Sequence, residues 1–193
     1  MIDFAAMLSP VVHAVTLARH PESRSGVVRS VGAEVFRESG GTLAITYTIG
    51  RDLARLRVPP LWPPRIAHGL WQHTCCERFI ALEGEPGYHE FNFAPSGEWA
   101  AYAFAKYRDG APLADEALNP RVAVRNCGAM LELNASIPLE RLSAVHSRGK
   151  LALALSAVVE DEDGVLSYWA LRHPAGKPDF HHASSFVLEL EGR

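Results

Sequence analysis

The chain has 193 residues, 48% of them hydrophobic and 21% charged, with a formal net charge of −3. That length suits a single domain, taken as residues 1–193, which buries enough surface to need no disulfide or metal staple. The slightly acidic balance, without any Lys/Arg run, argues against nucleic acid as a partner, and no apolar run is long enough to cross a bilayer.

Taken in chain order, the start MIDFAAMLSPVVHAV lacks a basic n-region, so no secretory signal is expected and the protein is placed in the cytoplasm. GAEVFRE, Gly40-Gly41 and TLAITYTIG read as a hairpin, because paired glycines supply the positive φ of a tight turn. VPPLWPPRIAHG carries four prolines and reads as a loop or edge crossing that could bring Trp62 to a ligand mouth. Strand-like runs follow at Leu70–Leu82, Tyr88–Pro95 and Glu98–Phe104, with Ser96-Gly97 as a tight connection. Another pair, 121–127 and 129–137, breaks at Gly128, and PLERLSAV suggests a short helix with Pro138 in its first turn. LALALSAVVE and VLSYWALR flank the turn Asp163-Gly164, and FVLEL closes the chain. About ten short strands with one or two short helices imply an all-β fold, a two-sheet antiparallel sandwich rather than βαβ units. Cys75, Cys76 and Cys127 form an odd set without CxxC spacing and read as buried free thiols. Cys76 is the exception to watch, since Arg78 could lower its pKa.

On a regular strand over Leu70–Leu82, period two puts Trp71, His73, Cys75, Glu77 and Phe79 on one face. On the next strand Tyr88, Glu90 and Asn92 share a face, while Phe91 and Phe93 point to the core. Carboxylates and amides exchange hydrogen bonds with hydroxyls, and an indole covers the C–H face of a sugar ring. The bland alternative is that Trp71 is core and that Glu77 and Glu90 are solvated strand residues.

WQHTCCERFIALEG, YHEFNFAPSGEWAAY and SYWALRHPAGKPDFHH together resemble the DOMON-like group of bacterial proteins, which is similar to family-nine carbohydrate-binding modules. The resemblance covers most of the chain and implies a β-sandwich with its ligand on a concave sheet face. In those modules a Trp is followed six residues later by a ligand-contacting Glu, a spacing that Trp71 and Glu77 share. Asn92 matches the amide of their next strand, whereas Glu90 stands where an Arg belongs. Trp169 is the C-terminal tryptophan that could correspond to their second, clamping one. Haem-binding relatives use axial Met, His or Lys; Met7 and Met130 lie outside the strong motifs, and His73, His89 or His181 could serve.

HPAGKPDFHH gathers three histidines and an aspartate, but His181 and His182 diverge on extended backbone, so no metal is expected there. Asp179 is instead expected to cap a turn or to orient His181. Arg108 could pair with an acid or offer its fork to an anion. The resulting expectation is a non-catalytic module for a small molecule, a carbohydrate or something like one, with no cofactor and no membrane partner. Its candidate ligand-binding residues are Trp71, His73, Glu77, Glu90, Asn92, Trp169, Arg172 and His181. Alternatives left open are a carboxylate-dependent glycosidase using Glu77 and Glu90 with His73 or His181, a haem-binding domain, and an interaction module or homodimer with an exposed aromatic strip.

Overall fold

Period-two alternation punctuated by glycine turns accounts for most of the local structure. A computed structural model describes residues 10–24, 26–51 and 53–192; the N-terminal stretch through Ser9, including Met7, lies outside the described residues. His13–Arg19 forms β1, and Val28–Arg37 (β2) and Thr42–Arg51 (β3) follow as a hairpin. Cys75–Leu82 (β4), Tyr88–Phe93 (β5), Trp99–Lys106 (β6) and Asp109–Pro112 (β7) make an antiparallel meander. Arg121–Cys127 (β8) and Met130–Pro138 (β9) form another hairpin, followed by the short helix Ala144–Arg148 (α1). Leu151–Glu160 (β10), Leu166–Ala170 (β11) and Leu188–Leu190 (β12) complete the fold. The hairpin turns carry Gly41 (φ 79°), Gly97 (φ 88°), Gly128 (φ 64°) and Gly164 (φ 79°), backbone that other L-residues enter at a cost.

Among the described residues twelve strands join one antiparallel ladder in the order β7-β6-β5-β4-β10-β11-β1-β2-β3-β9-β8, with β12 beside β10. The expected all-β sandwich is the fold found; the strands beyond about ten are the short β7 and β12. β1 joins the two halves of the ladder: Val15 and Leu17 pair within β2, while only Ala18 and Arg19 pair with β11. Val35, Ile45, Tyr47, Leu133 and Ile137 from one half pack in a single cluster with Ile80, Phe91, Phe93, Leu153 and Leu155 from the other. Each such buried side chain contributes roughly 1.5–3 kcal/mol, so this shared layer is what holds the halves together.

Five expectations need correction. The strand foreseen over Leu70–Leu82 begins only at Cys75, because Gly69 (φ 77°) starts a 3₁₀ turn, Leu70–Gln72. Trp71 and His73 therefore leave the alternation that would have aligned them with Glu77. PLERLSAV splits into a 3₁₀ turn, Leu139–Arg141, and α1, with Ser143 Oγ accepting the His146 N–H at 3.2 Å as the cap between them. Cys75 and Cys76 are buried as expected, but Cys127 is exposed on the terminal strand β8. Burial, then the Glu77 charge, pushes the Cys76 thiol up, so Arg78 does not activate it. Trp62 does sit in the proline loop, but its backbone N–H bonds Ser96 O at 2.7 Å and Arg65 covers its ring at 5.4 Å, away from the cavity described below.

Candidate functional site

Alternation on β4 and β5 turns Cys75, Glu77, Phe79, Tyr88, Glu90 and Asn92 away from the shared core. The register then assembles a row across the strands. Ala100 on β6 pairs Asn92, Asn92 pairs Glu77, Glu77 pairs Ser156 on β10, and Ser156 pairs Ala170 on β11. The adjoining row runs Tyr102, Glu90, Phe79, Ala154. Glu77 and Glu90 are thus diagonal neighbours on one face, a relation that places Cα atoms roughly 7–8 Å apart.

The segment between β11 and β12 folds back over this face. His181 lies 5.0 Å from Phe79 and 5.1 Å from Phe104, ring to ring, and Phe186 stands 5.5 Å from Tyr88. Between face and segment is a cavity of about 390 Å³ lined by Trp71, Glu77, Glu90, Tyr102, Phe104, Arg108, Val158, Tyr168, Pro178, Phe180 and His181. Small-molecule sites span about 300–1,000 Å³, so this one is at the small end.

Its polar groups are held in a definite order. Asn92 Nδ2 donates to Glu90 Oε1 at 2.9 Å, and Ser156 Oγ donates to Glu77 Oε2 at 3.3 Å. His181 Nδ1 meets the Tyr88 hydroxyl at 2.9 Å, and its Nε2 is 3.7 Å from Glu90 Oε2. Asp179 accepts from Tyr107 OH at 2.6 Å, Arg108 Nη2 at 2.8 Å and the His181 N–H at 3.2 Å. Asp179 thus caps the turn as expected and also engages the guanidinium. Arg108 adopts φ 54°, uncommon for a residue with a side chain, and its N–H donates to Tyr88 OH at 3.1 Å.

Both carboxyls are almost fully buried, Glu77 at 3% and Glu90 at 6% exposure. Burial, then the Glu90 charge, holds the Glu77 pKa well above the usual range. Burial likewise pushes Glu90 up to about 7. Burial and the charge of Arg108 lower His181 to about 4. His181 is therefore neutral at neutral pH, and its contact with Glu90 is not an ion pair.

The cavity brings together Trp71, Glu77, Glu90 and His181 from among the expected residues. Trp71 reaches it from the 3₁₀ turn, 43% exposed, with its ring edge-on to Tyr102 at 5.8 Å. Asn92, wholly buried and outside the lining, braces Glu90 from the same face of β5. His73 stands apart, bonded to Glu160 Oε2 at 2.7 Å with a largely exposed side chain. Arg172 is exposed and outside the lining. Trp169 belongs to the core, 5% exposed, with Nε1 donating to Ser167 Oγ at 3.1 Å. Its neighbour Tyr168 faces the cavity instead, because adjacent strand residues point to opposite sides. Tyr102 and Phe104 were legible from their pairing with Glu90 and Tyr88, had the register been known. Pro178 and Phe180 gave no signal, since an irregular loop carries them.

Among the described residues no group of three or more His, Cys, Asp or Glu is placed to hold a metal ion. The three histidines of HPAGKPDFHH disperse: His173 Nε2 meets Ala18 O at 2.9 Å, His181 enters the cavity, and His182 Nδ1 meets Ser184 Oγ at 2.7 Å. His89, another candidate haem ligand, lies on the opposite side of its strand with its ring 5.0 Å from that of His146.

Comparison with known protein families and with curated proteins found no match. Solved structures do match. A presumed carbohydrate-binding protein from Bacteroides uniformis superposes with a TM-score of 0.68 at 14% identity, over 92% of this chain and 84% of that one. A family 9 carbohydrate-binding module from Caldicellulosiruptor kristjanssonii, crystallised with cellotriose, matches with a TM-score of 0.50 at 11% identity, over 94% of this chain and 84% of the module. At such identities the likeness is one of fold.

Proposed function

We propose that the protein is a carbohydrate-binding module whose ligand enters the cavity between β4–β5 and the segment following β11. The observation that carries this reading is a pair of buried carboxyls, braced by Asn92 and Ser156, set beside a half-exposed indole in a cavity of sugar-ring size. Carboxyl, amide-braced and imidazole groups would accept and donate to ring hydroxyls, while Trp71 and Tyr168 cover apolar ring faces. Two proteins that share the fold support it, one a presumed carbohydrate binder and one crystallised with cellotriose. No leaving-group chemistry is needed for this role. The carboxyl pair favours one other reading, glycoside hydrolysis with Glu90 as the acid, because its raised pKa keeps a proton available near neutrality.

The test is calorimetry against glucose, cellobiose, cellotriose and a broad glycan array, with Glu77→Gln as control. Binding to at least one saccharide, weakened in the folded Glu77→Gln variant, is the expected result. Binding to none, or binding untouched by that change, overturns the reading. Turnover of nitrophenyl glycosides abolished by Glu90→Gln would move the function to hydrolysis.

A further inference from the structure

The two carboxyls share an electrostatic problem that a neutral sugar leaves in place. Glu77 and Glu90 are diagonal on one face, both nearly free of solvent, and each accepts from a neutral group, Ser156 or Asn92. Two such acids cannot both ionise without a nearby cation. Among the described residues the cation acting on them is Arg108, whose guanidinium is already engaged by Asp179 at 2.8 Å and by Tyr107 OH at 3.3 Å. His181, the other basic group on this wall, adds no charge at neutral pH.

We propose that the cavity selects an amine-bearing saccharide, an amino sugar, whose ammonium group sits between Glu77 and Glu90. This rests on the saccharide reading of the same site and specifies the ligand class. An ammonium supplies up to three donors to carboxylates that lack a counter-ion. Trp71, Tyr102, Tyr168 and Phe180 line the same cavity, and aromatic rings attract a desolvated cation. An acidic sugar fits poorly, since its carboxylate would join two buried acids while Arg108 Nε and Nη2 are already engaged by Tyr107 and Asp179. Entry of the ammonium lets both acids ionise, so binding near neutral pH releases protons to buffer.

The experiment is calorimetry on the intact protein at pH 7 in two buffers of different ionisation enthalpy. The probes are glucose, glucuronate, N-acetylglucosamine, ethanolamine, and glucose analogues with a free amine at C2, C3 or C6. At least one amino analogue should bind tenfold or more tighter than glucose, with proton release, and acetylation should abolish the gain. In the Glu77→Gln/Glu90→Gln variant, shown folded by its melting curve, both the preference and the proton release should vanish. Neutral sugars binding as well as every amino analogue overturns the inference and leaves the carbohydrate reading standing. Ethanolamine binding as tightly as the amino sugars keeps the amine selectivity and overturns the sugar. Binding of no probe overturns the inference, and the carbohydrate reading falls with it when cellotriose and the glycan array are also silent.

Discussion

Glu77 and Glu90 make folding itself sensitive to pH. A buried acid with a raised pKa stabilises the fold fully below its unfolded value and loses that contribution as pH rises through the folded one. For Glu90 the window runs from 4.5 to about 7, and Glu77 shifts in the same direction. His89 and His181, both lowered to about 4, act oppositely, since their contribution is lost as pH falls below 6.5. The raw melting curve mixes these terms, but a difference separates them. Relative to wild type, Glu77→Gln/Glu90→Gln should gain melting temperature between pH 5 and pH 8, by several degrees at roughly 2–4 °C per kcal/mol. A difference that stays flat across that range would show the acids to be solvated. The two tryptophans separate equally well. Trp71→Ala removes a half-exposed ring and should move the melting temperature little while weakening saccharide binding at least tenfold. Trp169→Ala empties a core position and should cost about 3–5 kcal/mol, visible in urea unfolding. Trp169 reads from sequence as the counterpart of a clamping tryptophan because residue type is visible there and register is not; one step of register decides that Tyr168 faces the cavity.

Element by element, what was legible in the sequence is what local backbone chemistry dictates. Gly41, Gly97, Gly128 and Gly164 mark their hairpins because φ values of 64–88° require little or no side chain. The start of β4 was misplaced because TCCERFI continues smoothly from LWQH in hydrophobic pattern, while the decisive signal was the single Gly69 before the 3₁₀ turn. Arg78 was illegible for a different reason. Its strand alternation points it into the core, where it is wholly buried, with Nη1 3.5 Å from Leu43 O and with Nε and Nη2 lacking a hydrogen-bond partner among the described residues. Burial lowers its pKa to about 10, so it remains a cation at neutral pH. No propensity scale foresees a charge at that depth. An unpaired buried cation is costly, and replacement by an apolar side chain of similar reach relieves it. Arg78→Met should therefore raise stability by about 1–4 kcal/mol, seen as a higher urea midpoint at unchanged slope. A fall in midpoint would mean that the guanidinium nitrogens are satisfied in solution.

At the scale of the whole molecule the thiols report how the sandwich opens. Cys75 and Cys76 occupy opposite faces of β4: Cys76 lies in the core shared by both halves, Cys75 in the smaller cluster with Leu70 and Tyr102 beside the cavity. Cys127 is exposed on β8, at the end of the ladder. Burial raises the pKa of both buried thiols, so neither reacts until its surroundings open. Access to Cys76 requires the halves to part, which costs about the global unfolding free energy. Access to Cys75 requires only that the 3₁₀ turn carrying Leu70 and Trp71 lift away, a smaller opening. Alkylation of the native protein, followed residue by residue by mass spectrometry, should modify Cys127 at once, Cys75 slowly and Cys76 last, with all three reacting together in concentrated denaturant. A saccharide that seats against Trp71 should slow Cys75 by the factor 1 + [L]/Kd for each opening that expels it, leaving Cys127 unchanged. Cys76 reacting before Cys75, or Cys75 indifferent to a ligand that binds, would contradict the placement of Trp71 over the cavity and with it the site.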